Sequence, residues 1–175
     1  MLSSSYFIDS TDYKYFGLDK FNIQDWYEGK IELKVLSKKE AEKYYQYRLR
    51  LNTADTSYYR FYSVQKNQKD LKIVTIIDGA TGNFPDLRML VYNIRDSLIG
   101  FYPVAGIGSD PDYGYKYLVT SERINDTTYR STRINEYKEF NSGKARRDSI
   151  VTIYKIGLGY MKGAKVIEKR EYNLE

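Results

Sequence analysis

The chain has no histidine, no cysteine, three prolines and one tryptophan among its 175 residues. Without His or Cys there can be no Ser-His-Asp or Cys-His triad, no thiol redox chemistry, no disulfide framework and no zinc or haem site built on their ligand atoms. Carboxylates, Lys, Ser/Thr and Tyr are left to carry any chemistry, and nothing in the sequence calls for a cofactor. Long apolar runs are missing too, since none approaches the ~18–20 residues of a membrane helix. The start, Met1-Leu2-Ser3-Ser4-Ser5, shows no basic segment ahead of an apolar one. Leu174-Glu175 matches the vector residues that commonly precede a hexahistidine tag, and Met1 reads as an added start, so a trimmed signal peptide is compatible with these ends.

Tyrosine is abundant, at 20 residues beside 7 Phe. With 13 Leu, 15 Ile, 8 Val and 7 Phe, a quarter of the chain is strongly apolar, which is above the ~20 % level below which disorder is the better expectation. The chain is therefore expected to fold, its Tyr rings adding buried area while their hydroxyls reach water or a partner. The formal charge is +5 from 28 basic and 23 acidic residues. These are interspersed almost everywhere, the pattern of a mixed-charge surface rather than a nucleic-acid footprint.

We read residues 1–29 as a partly ordered lead-in covering an edge, 30–173 as one β-rich domain and 174–175 as vector-derived. Lys30 to Leu36 alternates, with Ile31, Leu33 and Val35 on one face, which predicts a half-buried strand. Ser37-Lys38-Lys39-Glu40 has capping-box spacing, flanked by Leu36 and Ala41 as a hydrophobic staple, and predicts a helix to about Leu49. Strands follow at Tyr58 to Lys66, Leu71 to Ile77, Arg88 to Ile94, Ser97 to Val104, Tyr115 to Arg123, Thr127 to Phe140, Ser149 to Ile156 and Lys165 to Tyr172. Leu71 to Ile77 is apolar on both faces, and Ala105 to Gly114 and Asn141 to Arg147 read as loops. The expected class is mainly β: an antiparallel meander closed as a barrel or folded as a sandwich, with one helix in the N-terminal half and α+β as the fallback.

Few constellations suggest chemistry. Ser63-Val64-Gln65-Lys66 has the Ser-x-x-Lys spacing, but on a strand its ends point to opposite faces. Asp110 and Asp112 form the beginning of a calcium loop, Asp-x-Asp-x-Gly; a turn closed by Asp side chains explains them better, so no metal site is assigned. The Gly pairs lack the flanking residues of a phosphate cradle. Paired carboxylates for glycoside hydrolysis need not be near in sequence, and no pair stands out. Lys144, Arg146 and Arg147 read as a loop charge cluster. The unusual feature is aromatic: Trp26/Tyr27, Tyr58/Tyr59/Tyr62 and Tyr113/Tyr115/Tyr117. A strand beginning at Tyr113 would put the last three rings in one row, able to stack on sugars or anchor a protein partner. The alternative for any one Tyr is core packing or a cross-strand pair. Tyr113, Tyr115, Tyr117, Trp26 and Tyr27 are the candidate ligand-binding residues.

In its Ser-rich start, its Tyr/Lys/Asp/Ile-rich hairpins and the strand Asp148-Ser149-Ile150-Val151-Thr152-Ile153-Tyr154-Lys155-Ile156, the chain resembles the small secreted or lipid-anchored envelope proteins of Bacteroidetes. The resemblance covers roughly residues 60–172 and is compositional. It implies a periplasmic or cell-surface location behind a removed signal peptide, or a cytoplasmic one if the chain is native. A lipidated Cys normally precedes such chains; none is present, so membrane association would need an anchor lost with that segment. The O-glycosylation pattern of these bacteria, Asp followed by Ser or Thr and a small aliphatic, Thr or Met residue, occurs at Asp9-Ser10-Thr11, Asp96-Ser97-Leu98, Asp126-Thr127-Thr128 and Asp148-Ser149-Ile150. Turn chemistry accounts for the same dipeptides equally well. The leading expectation is a non-enzymatic envelope domain that binds a glycan or a protein partner through an aromatic-rich surface. A carboxylate-based, glycosidase-like hydrolase is the alternative, and a structural or inhibitor-type interaction protein the third.

Overall fold

The structure, a computed structural model, describes residues 20–46, 58–68, 71–139, 142–156 and 165–174. Among these residues ten strands follow in chain order: β1 (Lys20–Phe21), β2 (Lys34–Leu36), β3 (Tyr59–Gln68), β4 (Leu71–Asp78), β5 (Asp86–Tyr92), β6 (Leu98–Asp110), β7 (Tyr115–Asn125), β8 (Thr128–Lys138), β9 (Ala145–Lys155) and β10 (Lys165–Leu174). Two short helices, α1 (Gln24–Tyr27) and α2 (Lys38–Tyr44), precede β3, and a 3-10 turn at Pro111–Tyr113 joins β6 to β7. From β2 to β10 each strand pairs with the next, all antiparallel, while β1 lies along β7. The ends of this path, β2 and β10, do not pair with each other. The fold is the expected mainly β meander, but open; closure into a barrel is not what these strands do.

β6 carries the sheet from one half to the other. Its first part pairs with β5, from Tyr92↔Leu98 to Asp86↔Gly106, and its last part with β7, from Gly106↔Val119 to Asp110↔Tyr115. Beyond that point β7 pairs instead with β1, through Phe21↔Ser121 and Lys20↔Glu122. The sequence suggests a loop from Ala105 to Gly114, whereas the strand continues to Asp110. Glycine is needed there because neighbours lie on the backbone: a Cβ on Gly106 would meet the Asp86 carboxylate at 2.7 Å, and one on Gly108 the Phe84 ring at 2.5 Å.

Two apolar clusters form the core. One joins Leu36, Ala41, Tyr44 and Tyr45 around α2 to Phe61, Val74, Ile76, Leu90 and Leu98. The other joins Phe21 and Ile23 to Ile73, Ile77, Leu87, Met89 and Tyr102, and reaches Tyr129 and Tyr154 on β8 and β9. β4, flanked by both clusters, is buried on both faces as its continuous apolar run requires. Helix α2 starts as its capping box dictates, with the Ser37 hydroxyl accepting from the Glu40 amide and the Glu40 carboxylate accepting from the Ser37 amide at 2.8 Å. It ends at Tyr44, with Gln46 at φ 50, short of the expected Leu49, which lies outside the described residues. β2 is also shorter than expected. Ile31 and Leu33 are partly buried as expected, Leu33 against the second cluster, but Leu36 turns inward beneath α2 and leaves Val35 exposed.

Candidate functional site

β7, β8 and β9 alternate along their length, so each presents two distinct faces. The register places Tyr115 opposite Tyr137, Tyr117 opposite Asn135 and Val119 opposite Arg133 on one face. On the other, Lys116 stands opposite Glu136 and Leu118 opposite Ile134, and Glu136 is in turn opposite Arg147.

The first face holds the tyrosine row, but its rings are engaged with one another and with cations. Tyr117 is buried, stacked on Phe84 with centroids 6.0 Å apart and planes within 1°. The Arg133 guanidinium sits 4.5 Å from the Tyr117 ring centroid. Tyr115 lies 5.1 Å from Tyr137, and Arg146 covers Tyr137 at 4.9 Å. The polar ends are tied as well. Arg133 donates to the Tyr115 hydroxyl and to Asn135 Oδ1, each at 2.8 Å, and Asn135 donates to Asp148. Tyr113 is not in the row: the strand starts at Tyr115, and Tyr113 stands in the 3-10 turn, 78 % exposed. Gly114 imposes that break at φ 58, beneath the Lys138 carbonyl.

The second face carries a groove of about 480 Å³. Its apolar lining comes from Ile107, Leu118 and Ile134, and its polar edge from Ser109, Lys116, Glu136 and Arg147. Tyr27 of α1 lines it as a half-exposed ring, while its neighbour Trp26 is partly buried against the second core cluster. The five expected ligand-binding residues are therefore not assembled into one platform. Tyr27 and part of Tyr117 line this groove, Tyr115 faces the other side, Trp26 serves the core and Tyr113 projects into solvent. Lys116 and Arg147 both contact Glu136, at 2.5 Å each, and these hydrogen bonds, Lys116 first, hold the Glu136 carboxyl below its usual range. Two cations on one carboxylate leave the groove edge with a net positive charge. Arg146 and Arg147, expected in a loop, belong to β9 instead; only Lys144 lies in the turn.

Two further cavities are described. One, about 240 Å³ on the first face, is lined by Asp86, Tyr102, Ser131, Arg133, Ile150 and Thr152 among others. The other, about 400 Å³, lies between β1 and the end of β7, with Lys20, Glu122 and Arg130. Each of the three holds a single carboxylate, Glu136, Asp86 or Glu122, so none supplies the pair that glycoside hydrolysis needs. Asp78 and Asp86 do stand opposite each other across β4 and β5, but Arg88 contacts Asp78 at 3.1 Å, and only Asp86 faces a cavity. Ser63 is buried in a hydroxyl and amide cluster with Thr75 and Gln65, each at 2.6 Å, which gives it a packing role. Among the described residues no group of three carboxylates forms around Asp110 and Asp112 or elsewhere, and no helix is long and apolar enough to cross a membrane. No family model, curated protein or solved structure matches the chain.

Sequence reasoning did not single out Lys116, Glu136, Asp86 or Arg133. Each looks like an ordinary charged residue on an alternating strand, and only strand register brings it to a cavity. Arg147 was visible as a basic residue, but its strand position depends on a pairing with β8 that no local pattern announces.

Proposed function

We propose that the protein is a non-enzymatic binding domain that holds an acidic glycan in the groove beside Tyr27. The observation that carries this reading is a half-exposed tyrosine ring at an apolar floor whose polar edge has a net positive charge. Saccharides present apolar C–H faces that stack on an aromatic ring and hydroxyls that need convergent donors and acceptors, and a carboxylate or sulfate on the sugar would meet Lys116 and Arg147. The tyrosine row on the opposite face is a poorer platform because its rings already stack on Phe84, Arg133 and Arg146. The bacterial envelope, periplasmic or cell-surface, is the compartment the compositional resemblance supports. A protein partner is the second reading, favoured by β10: among the described residues no strand pairs with its outer edge, and Val166 and Ile167 on it are half exposed.

The test is a glycan array followed by calorimetry with uronic-acid and neutral oligosaccharides. Binding should favour the acidic chains, and Tyr27→Ala and Lys116→Ala should each weaken it about tenfold. Tyr113→Ala should leave it unchanged. An array without a hit, or a hit indifferent to Tyr27→Ala, overturns the reading; an envelope protein captured through β10 instead would establish the second.

A further inference from the structure

The cavity on the first face has a different chemistry from the Tyr27 groove. Asp86 lies at one side, and among the described residues its carboxylate accepts a side-chain hydrogen bond only from the Tyr117 hydroxyl, at 3.3 Å to Oδ1. Arg88, two residues on, makes its ion pair with Asp78 rather than Asp86. Arg133 lies at the other side, its guanidinium over the Tyr117 ring. Tyr117 thus touches both residues, Asp86 through its hydroxyl and Arg133 through its ring face, and among the described residues these two line one cavity without an ion pair between them. Arg133 uses Nε and Nη2 on Asn135 and Tyr115, which leaves Nη1 to donate elsewhere.

Across the sheet the register runs Asp86, Gly106, Val119, Arg133, Ile150, so Val119 gives an apolar wall between the charged residues and Ile150 another beyond Arg133. Ser131 and Thr152 stand opposite each other across β8 and β9, and no hydrogen bond among the described residues engages their hydroxyls. Gly106 is the condition for the site, since a Cβ there would strike the Asp86 carboxylate.

We propose that this cavity binds a small zwitterion carrying an α-ammonium group and a carboxylate, an amino acid or short peptide, with the ammonium on Asp86 and the carboxylate on Arg133. Two charged residues in contact with the same tyrosine suit ligand groups a few bonds apart, and the cavity of about 240 Å³ suits a ligand of that size. Opposed charges at the two ends select against simple amines, which would face Arg133, and against simple acids, which would face Asp86. Burial, opposed by Arg88, raises the Asp86 carboxyl above its usual range, which fits a group waiting for a cation.

The experiment uses the whole chain and an equimolar pool of L-amino acids and dipeptides, read by saturation-transfer NMR and then calorimetry. At least one member should bind, and its N-acetyl and methyl-ester derivatives should each bind at least about tenfold more weakly, since each loses a charge-assisted hydrogen bond. Asp86→Asn, nearly isosteric, should reproduce the N-acetyl loss, and Arg133→Gln the ester loss. Tyr27→Ala should change nothing here, so this site and the glycan groove stand or fall separately. The derivatives act on the unaltered protein, which keeps the test decisive if a variant fails to fold. No binding from the pool, or an N-acetyl derivative equal to its parent, overturns the proposal.

Discussion

The β3–β6 half and the β7–β10 half are built to different rules. β4 has five consecutive buried residues and β5 ends in four, whereas β7 has two buried residues in eleven. In the first half both faces are covered, one by α2 and the other by the second core cluster. In the second half alternation leaves each face part solvated, and its strands carry ion pairs such as Lys116–Glu136–Arg147, the cation-π contacts of Arg133 and Arg146, and part of the lining of each of three cavities. The lesson is a division of labour: burial concentrated at β4 and β5 lets β7 to β9 spend their side chains on polar surface.

The sharpest way to break that comparison is to truncate one side chain in each half. Leu90→Ala, at a fully buried position in the first cluster, should cost about 2–5 kcal/mol. Ile134→Ala, half-buried at the groove, should cost clearly less, because the cavity it leaves opens to water. Urea denaturation with unchanged m-values would measure both. Equal losses would mean that the second half is as much a core as the first.

A smaller effect tests the joint between the halves. Gly114 sits at φ 58 directly beneath the Lys138 carbonyl, so Gly114→Ala should cost about 1–3 kcal/mol from strain and displacement together. It should also perturb the Tyr115 amide in NMR spectra, because that glycine decides where β7 begins. A silent substitution would show that the strand start is fixed elsewhere.

Much of the first half was legible in the sequence because its signals are local. The apolar run of β4 dictates two-sided cover, and Ser37 with Glu40 states where α2 begins. The hairpin expected between Arg88 to Ile94 and Ser97 to Val104 is present, its turn held by Asn93 Oδ1, which accepts from the Ser97 amide at 3.0 Å. The second half was less legible because its determinants are non-local. Gly106 and Gly108 read as loop residues until Asp86, Phe84 and Tyr117 are seen lying against them. The Tyr113/Tyr115/Tyr117 spacing implied a row of three, but Tyr137 from β8 extends it and Tyr113 does not. Of the candidate site residues only Tyr27 combines exposure with a groove, and the charges around it come from three strands whose register no single segment encodes.

The smallest expected effect is also the one that separates the halves by sign. Asp78 and Asp86 are raised above the ordinary carboxyl value, by burial first and against the pull of Arg88. Between that ordinary value and their raised folded values the folded chain holds more protons than the unfolded one. Their contribution is therefore fully present below the ordinary value and lost as pH rises through the folded one. Glu136 behaves oppositely: hydrogen bonds from Lys116 and Arg147 lower it, so its contribution is present above the ordinary value and lost as pH falls through the folded one. Melting midpoints from about pH 3 to 7 should then respond in opposite directions. Asp86→Asn should relieve part of the loss on raising the pH, and Glu136→Gln part of the loss on lowering it. If both variants moved the profile the same way, the contrast between a desolvated carboxylate in the first half and a solvated, doubly paired one in the second would be wrong.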